Sequence, residues 1–498
     1  MKHTKTTYGL HWSRMALVAG TFLLGAMPVL AQQGPPGELD PTFGGAGRQT
    51  TDFFSASEAI NDVVALPDRR FVAVGAVTGP NAAGPGSSPN FSVARYLPDG
   101  RLDPSFGNNG LFMLDRSGNV DEAQAVKRLG DGSLLVTGTI APGAYSDFAV
   151  VKLRPNGTLD TTFGDAGVGG ARTGSVLLDV AGPNFHDEAR QIAVQRDGKI
   201  IVAGNTLVVV GNFRYRRATV ARFSAAGVLD TSFGGTGTGY VVLNGFNAAD
   251  PQSGDYVTAI ATNQRGDLAA DDSITLVGYT FGRNNAFAVR LTRDGALDTS
   301  FGTPAGAARS GSVTFSAANS GGVATGASDL RGARIDNANR VVLAGTGGDR
   351  GFTFLRLLPN GSLDTTFGSN GRTLVKLSGV STYDEPRALA LQGNGKIVAA
   401  GYATNRVTGA PHKDFYVVRL LADGAVDTGF GDGEGRVVAQ VSDQDDEAFA
   451  VAVEPSGNLL AGGYQQRLNV NGRDFAQLRL FGDPDRIFMD GFDGPGFD

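Results

Sequence analysis

The chain has 498 residues, with 43 Lys and Arg against 49 Asp and Glu for a formal net charge of −6, and it contains 73 Gly and no Cys. The absence of Cys excludes disulfides, thiolate metal sites, a catalytic thiol and a lipid-bearing N-terminal Cys. The acidic balance makes nucleic acid and anionic membrane surfaces poor partners.

Residues 1–31 read as a secretory signal. Lys2, Lys5 and Arg14 form a basic head, a short apolar run follows from Met15 to Leu30, and Val29-Leu30-Ala31 is the expected cleavage site. The run is shorter than the roughly 20 residues a membrane span needs, and Pro28 interrupts it. Removing the leader takes away three basic residues and no acids, so 40 basic residues face 49 acids and the mature charge becomes −9. The single Trp, Trp12, leaves with it. A monomer with no membrane span, exported to the periplasm, the cell surface or the medium, is the expectation.

From residue 32 to residue 480 the chain repeats itself. Leu-Asp-x-x-Phe-Gly places Asp at 40, 103, 160, 230, 298 and 364, and a Val-Asp version follows at Asp427, with steps of 57–70 residues. Asn-Gly and Asp-Gly turns precede the motif, as in Asn156-Gly157 and Asp99-Gly100. The motif Phe, the one bulky apolar residue in a polar turn, is expected to wedge between neighbouring units. A calcium loop built on Asp99 and Asp103 is the rival reading. Asn156, Ala226 and Asn360 replace the first acid in other copies and leave too few oxygens for it.

Between motifs the script is constant. A Gly-led strand a (Gly110-Leu111-Phe112-Met113-Leu114) is followed by a polar loop ending in Asp-Glu. Strand b comes next, small and alternating (Glu447-Ala448-Phe449-Ala450-Val451-Ala452-Val453), then an Asp-Gly-type turn and strand c (Lys199-Ile200-Ile201-Val202-Ala203-Gly204). A variable loop leads to strand d (Asp147-Phe148-Ala149-Val150-Val151-Lys152-Leu153), which closes on the next motif. Seven such units predict an all-β chain, a seven-bladed β-propeller of four-stranded antiparallel blades. A parallel β-helix would need far shorter coils and no hairpin turns. Strand b, rich in Ala, belongs innermost, with c, d and a running outward. The first strand a, at 47–53, has no earlier blade of its own and is expected to complete the last one beside 475–480. An unclosed ring would leave edges and an end face exposed.

These elements together resemble the delta-60 repeat of bacterial secreted proteins: Asp-Glu-Ala-x-x-x-Ala-Val-x-x-Asp-Gly-Lys-Ile, Val-Ala-Gly, Asp-Phe-x-Val-x-Arg-Leu and Asn-Gly-x-Leu-Asp-x-x-Phe-Gly. The resemblance runs from about Leu39 to Leu480 and is fullest at 187–234. It implies a propeller and no particular reaction.

In such a meander the b–c and d–a turns share one face and the a–b and c–d loops share the other. The second face collects the irregular segments, so binding is expected there. Glu58, Glu122, Glu188, Asp255, Glu385 and Glu447 stand at the start of strand b and, if that strand lines the channel, encircle its mouth. Such a ring would draw cations or basic groups; alternatively each carboxylate accepts amide bonds within its own loop. A second candidate is the cluster Phe213, Arg214, Tyr215, Arg216 and Arg217, suited to a glycan or an acidic partner. His186 and His412 are isolated and read as incidental.

Enzymatic signatures are missing: there is no Gly-x-Ser-x-Gly, His-Glu-x-x-His or phosphate loop. No catalytic residue, metal site or cofactor is assigned. The leading expectation is a non-enzymatic binding or scaffold protein that captures a protein, a glycan or a cationic ligand on its loop face. The alternative is an extracellular carbohydrate-active or other hydrolase or lyase using the same face. The acidic tail, 481–498, departs from the script and resembles Asp-Gly-Phe endings of some exported proteins.

Overall fold

The computed structural model describes residues 34–80, 87–116, 118–167, 171–243, 245–246, 254–263, 272–283, 285–316, 323–324, 326–377, 383–405, 412–468 and 472–483. The leader, with its cleavage site, and the tail beyond Asp483 lie outside them. Among the described residues, no helix is long and apolar enough to cross a membrane.

Seven antiparallel sheets follow one another, each a strand meander in the order b, c, d, a. Blade one comprises Glu58–Ala65, Phe71–Pro80, Ser87–Tyr96 and Leu111–Leu114; blade two Glu122–Arg128, Leu134–Ile140, Asp147–Leu153 and Ser175–Leu178. Blade three is Asp187–Val194, Ile200–Val210, Phe213–Phe223 and Tyr240–Val242. Blade four is Asp255–Thr262, Ile274–Thr280, Asn285–Leu291 and Ser312–Ser316, with Val323–Ala324 added in parallel as a fifth strand. Blade five holds Ala327–Ile335, Val341–Gly347, Phe352–Leu357 and Arg372–Val375, and blade six Asp384–Leu391, Ile397–Asn405, His412–Leu420 and Arg436–Ala439. Blade seven combines Asp446–Val453, Leu459–Gln466 and Arg473–Leu480 with Arg48–Thr51 from the other end of the chain. Each strand b touches strand b of both neighbouring blades, including blade one with blade seven, so the seven sheets form a closed ring around a channel.

Closure reaches further than one strand. Thr51 to Arg48 pair with Phe475 to Leu478, and Leu39 bridges Leu480. Gly37 donates its amide to Phe481 O at 2.7 Å, so residues 35–51 supply blade seven with its turn, its motif and its outer strand.

The repeated motif is where neighbouring blades are joined. All seven motif Phe side chains are 0–1% exposed. Each ring lies on the Gly of the next repeat's turn: Phe43 on Gly100, Phe106 on Gly157, and so on round to Phe430 on Gly37. That Gly has φ between +77° and +91°, and an added Cβ would come within 2.7–3.1 Å of the ring, so both the backbone and the close approach demand glycine. The amide of the motif's own Gly donates to the same turn in all seven blades, from Gly44 to Asp99 O through Gly431 to Pro36 O, at 2.8–3.0 Å.

A cation eight residues before the Asp completes the joint. Arg95, Lys152, Arg222, Arg290, Arg356 and Arg419 on strand d meet Asp103, Asp160, Asp230, Asp298, Asp364 and Asp427, and Arg479 meets Asp40 across the closure, all at 2.5–3.2 Å. Six guanidinium groups also lie 4.4–4.9 Å from the centroid of the motif Phe. Five donate to a carbonyl of the next blade's turn: Pro155, Arg293, Pro359, Ala422 or Pro98. One clasp therefore satisfies a buried carboxylate, covers a ring and bonds two sheets.

The inner strands carry a shared irregularity. In six blades the b–c register slips once near the third residue of strand b, as between Ala189 and Gln191, and in blade five it slips twice, between Ala327 and Asp329 and between Leu330 and Gly332. Beyond the slip, the channel positions are mainly Ala and Gly, with Asp62, Lys127, Gln191 and Arg334 as the polar departures. The Asp62 carboxylate accepts the amides of Val63 and Val126, both at 2.9 Å, and so ties blade one to blade two at the channel wall.

Candidate functional site

The loop face is built where strand b begins, and the register divides the six candidate acids into two positions. Glu58 and Asp255 occupy the first position of their blades, together with Asp121, Asp187, Asp384 and Asp446. Glu122, Glu188, Glu385 and Glu447 occupy the second, together with Asp329 of blade five. Because strand side chains alternate in direction, the two members of an Asp-Glu doublet face opposite ways.

First-position carboxylates are buried, 0–1% exposed, and fold back to hold the a–b loop. Glu58 accepts the amides of Phe53 and Phe54; Asp187 those of Val180 and Ala181; Asp446 those of Val441 and Ser442. Asp255 accepts those of Gly245 and Phe246 and faces Arg217 at 3.3 Å. Burial outweighs these bonds: it pushes Glu58 up from 4.5 to about 7, and Asp255 and Asp446 up from 3.8 to about 6.

Second-position carboxylates stand near the start of strand b and are met by donors from their own and neighbouring strands. Asn61 of blade one donates to Glu122 of blade two at 2.8 Å. Glu188 lies between Arg190 (2.8 Å) and Arg216 (2.6 Å); burial raises its carboxyl, but these two cations more than offset that and hold it below its ordinary value. Arg331 spans Asp329 (2.8 Å) and Glu385 (3.5 Å), and Arg387 spans Glu385 (3.3 Å) and Glu447 (3.7 Å). Lys413 reaches Glu447 at 2.5 Å, and the Tyr402 hydroxyl donates to Glu385 at 2.5 Å.

Aromatic rings alternate with these cations. Tyr256 and Tyr279 stack with centroids 5.0 Å apart. Arg331 lies over Tyr279, Arg387 between Tyr402 and Phe449, Lys413 over Tyr402, and Arg473 over Tyr464, at 3.9–5.5 Å. Blades three to seven thus present a girdle of planar rings, forked donors and carboxylates around one end of the channel.

The second candidate set is split by its hairpin. Phe213 stands 61% exposed at the tip of the blade-three c–d hairpin, and Arg214 covers Phe185. Tyr215 carries Arg217 over its ring, while Arg216 and Arg217 reach back to Glu188 and Asp255. Two residues of the cluster therefore join the acids, and three form an outlying apolar and basic tip.

The remaining candidates have local partners. Asp99 pairs with Arg101, and Asp103 with Arg95 and Arg70. His186 bonds Ser146, and His412 faces Asp414. Sequence reasoning missed two constellations among the described residues: carboxylate oxygens of Asp147, Asp179 and Asp187, and those of Asp52, Glu58 and Asp474, lie within 4.8 Å of one another in each group on the loop face. Burial, reinforced by the other two charges, pushes Asp147 up to about 6. The Asp that opens strand d and the acid of the following a–b loop were visible, but only the fold brings them together.

No curated protein matches the chain. Among solved structures, a streptogramin B lyase aligns at TM-score 0.44 and 8% identity, over 87% of this chain and 97% of that one. The polysaccharide lyase Uly1 aligns at TM-score 0.41 and 11% identity, over 85% and 89%. An intramolecular trans-sialidase from Ruminococcus gnavus aligns at 0.38 and 9%, over 88% and 98%. Residues 66–106, 129–163, 195–233, 269–301, 339–367 and 392–430 match the family model described as "Domain of unknown function (DUF5122) beta-propeller". Each stretch runs to the motif Phe of one blade, from blade one to blade six, so six of the seven blades match a propeller-repeat family model.

Proposed function

We propose that the chain is a secreted, monomeric propeller of the delta-60 type, exported by its leader, that binds a protein or glycan partner on its loop face without catalysing a reaction. The observation that carries this reading is the girdle of blades three to seven, where Glu188, Glu385 and Glu447 are each fixed by two or more donors beside Tyr256, Tyr279 and Tyr402. Carboxylates held in this way are preorganised as hydrogen-bond acceptors and are poorly placed to exchange protons with a substrate. Glu58, which titrates nearest neutrality, has its carboxylate bound to loop amides.

The test is a glycan and peptide binding screen on the exported chain, run beside E385Q/E447Q. Capture that falls in the double variant, with no turnover of any captured ligand, is the expected outcome. Turnover abolished by neutralising a single acid would replace this reading with the hydrolase or lyase one. The feature favouring that second reading is the Asp147, Asp179 and Asp187 group, where a carboxyl raised to about 6 stands beside two further acids.

A further inference from the structure

The turn face, opposite the girdle, departs from sevenfold regularity at the residue immediately before strand c. In four blades the motif Asp receives a second cation from the residue immediately before strand c. Arg70 meets Asp103 at 2.9 Å, Lys199 meets Asp230 at 3.0 Å, Arg340 meets Asp364 at 3.6 Å and Lys396 meets Asp427 at 3.0 Å. Blades two, four and seven have Ser133, Ser273 and Asn458 in that place. A cleft of about 370 Å³ opens between blades four and five, with Ser273, Thr275, Arg290 and Asp298 on one side and Asn339 and Asn360 on the other.

Thr275 gives this space its second abnormality. It pairs across strands with Arg290, and the residues paired with the corresponding Arg or Lys elsewhere are Val72, Leu135, Ile201, Val342, Val398 and Leu460. Those six are apolar and buried. The Thr275 side chain is 0% exposed, faces the cleft, and its hydroxyl has no hydrogen-bond partner. Leaving a hydroxyl in that state costs free energy, whereas Val would fill the same volume without penalty.

We infer that the cleft between blades four and five is a binding site for an organic cation, a primary ammonium or guanidinium such as a lysine side chain or a small polyamine. Such a group takes the place that Lys or Arg fills in blades one, three, five and six, donates to Asp298, and offers the Thr275 hydroxyl a partner. One carboxylate serving two cations is the arrangement the chain already uses four times over. Burial pushes the Asp298 carboxyl up, but its bonds from Ser300 and the Arg290 charge more than offset this and hold it below its ordinary value, so it is ionised at neutral pH. The amides of Asn339 and Asn360 add neutral acceptors at the opposite wall.

The experiment is a calorimetric titration of the full chain with cadaverine and with agmatine, using 1,5-pentanediol as the uncharged control. Saturable one-site binding of an amine and none of the diol is expected. S273K, which installs the residue type of blades three and six, should weaken that binding by at least about tenfold, while S273A, which leaves the cleft open, should keep it within about twofold. Diol binding as strong as amine binding, equal affinities in wild type and S273K, a loss in S273A as great as in S273K, or no saturation by either amine would each overturn the assignment.

Discussion

The two faces of the ring are made from the same seven repeats by opposite means. On the turn face every blade repeats one joint: a cation eight residues before the motif Asp, the Asp, the Phe and the next blade's Gly, with Lys152 as the only variation in the cation. On the loop face the inner strands begin with an acid in most blades, but its partners change from loop amides to Asn, Arg, Lys and Tyr. Uniformity marks the side that holds the ring together, and variation marks the side free to acquire specificity.

The comparison breaks most severely where the ring is closed. Removing residues 35–51 takes the turn, motif and outer strand from blade seven and leaves Phe475 to Leu478 unpaired on one edge. Loss of cooperative thermal unfolding is expected, and a melting curve like that of the full chain would remove closure from the account. The next largest effect belongs to R479A. It strips a buried cation, 1% exposed, from Asp40 and from the Phe43 ring, and should destabilise by about 3–5 kcal/mol in denaturant titration.

The faces also titrate in opposite senses. Glu58, raised from 4.5 to about 7, and Asp255 and Asp446, raised from 3.8 to about 6, bind protons more tightly folded than unfolded. Between about pH 4 and 7 the folded chain therefore holds the extra protons, and its stability falls as pH rises. The clasp acids Asp40, Asp160, Asp364 and Asp427 are all held below 3.8: burial raises them, but bonds from two residues onward and the clasp cation prevail. Their contribution is complete above about pH 4 and is lost as pH falls through their folded values. Thermal stability should peak near pH 4 and decline toward both pH 7 and pH 3. E58Q should flatten the alkaline limb and leave the acid limb in place; an unchanged alkaline limb would remove Glu58 as a source of it.

The smallest effect is expected at the mouth. R387A removes a partly exposed cation shared by Glu385 and Glu447, and should cost about 1 kcal/mol or less in unfolding experiments. A loss as large as that of R479A would mean that the girdle holds the blades together much as the clasps do.

What the sequence made legible follows the same division. The motif turns could be read because their chemistry is local: Asp40 or Asp160 accepts from the amide and hydroxyl two residues on, and glycine is required where φ is positive and a neighbouring motif Phe closes on the turn. Spacing then supplied the blade number and the displaced first strand. The clasp was present in the pattern Asp-Phe-x-Val-x-Arg-Leu, eight residues before each later motif Asp. Its partner lies across a turn, so the pairing emerges only when the constant interval is noticed. The channel-mouth acids were found but placed in one ring, because Glu58 and Asp255 lack the doublet that would have shown their register. The slip near the third residue of strand b, the Asp147 group and the blade-four cleft depend on contacts between distant strands, which no local pattern encodes.

The joining of residues 37–51 to 475–481 in blade seven has a consequence for anything attached beyond them. Residue 37 bonds residue 481, so cargo fused before Pro35 and cargo fused after Asp483 depart from the same sector of the rim. A donor and an acceptor dye at those two positions should report proximity only after the whole ring has assembled, since Asp40 and Arg479 are 439 residues apart in sequence. The pair would serve as a clock for a folding event that cannot finish until the final repeat has been made.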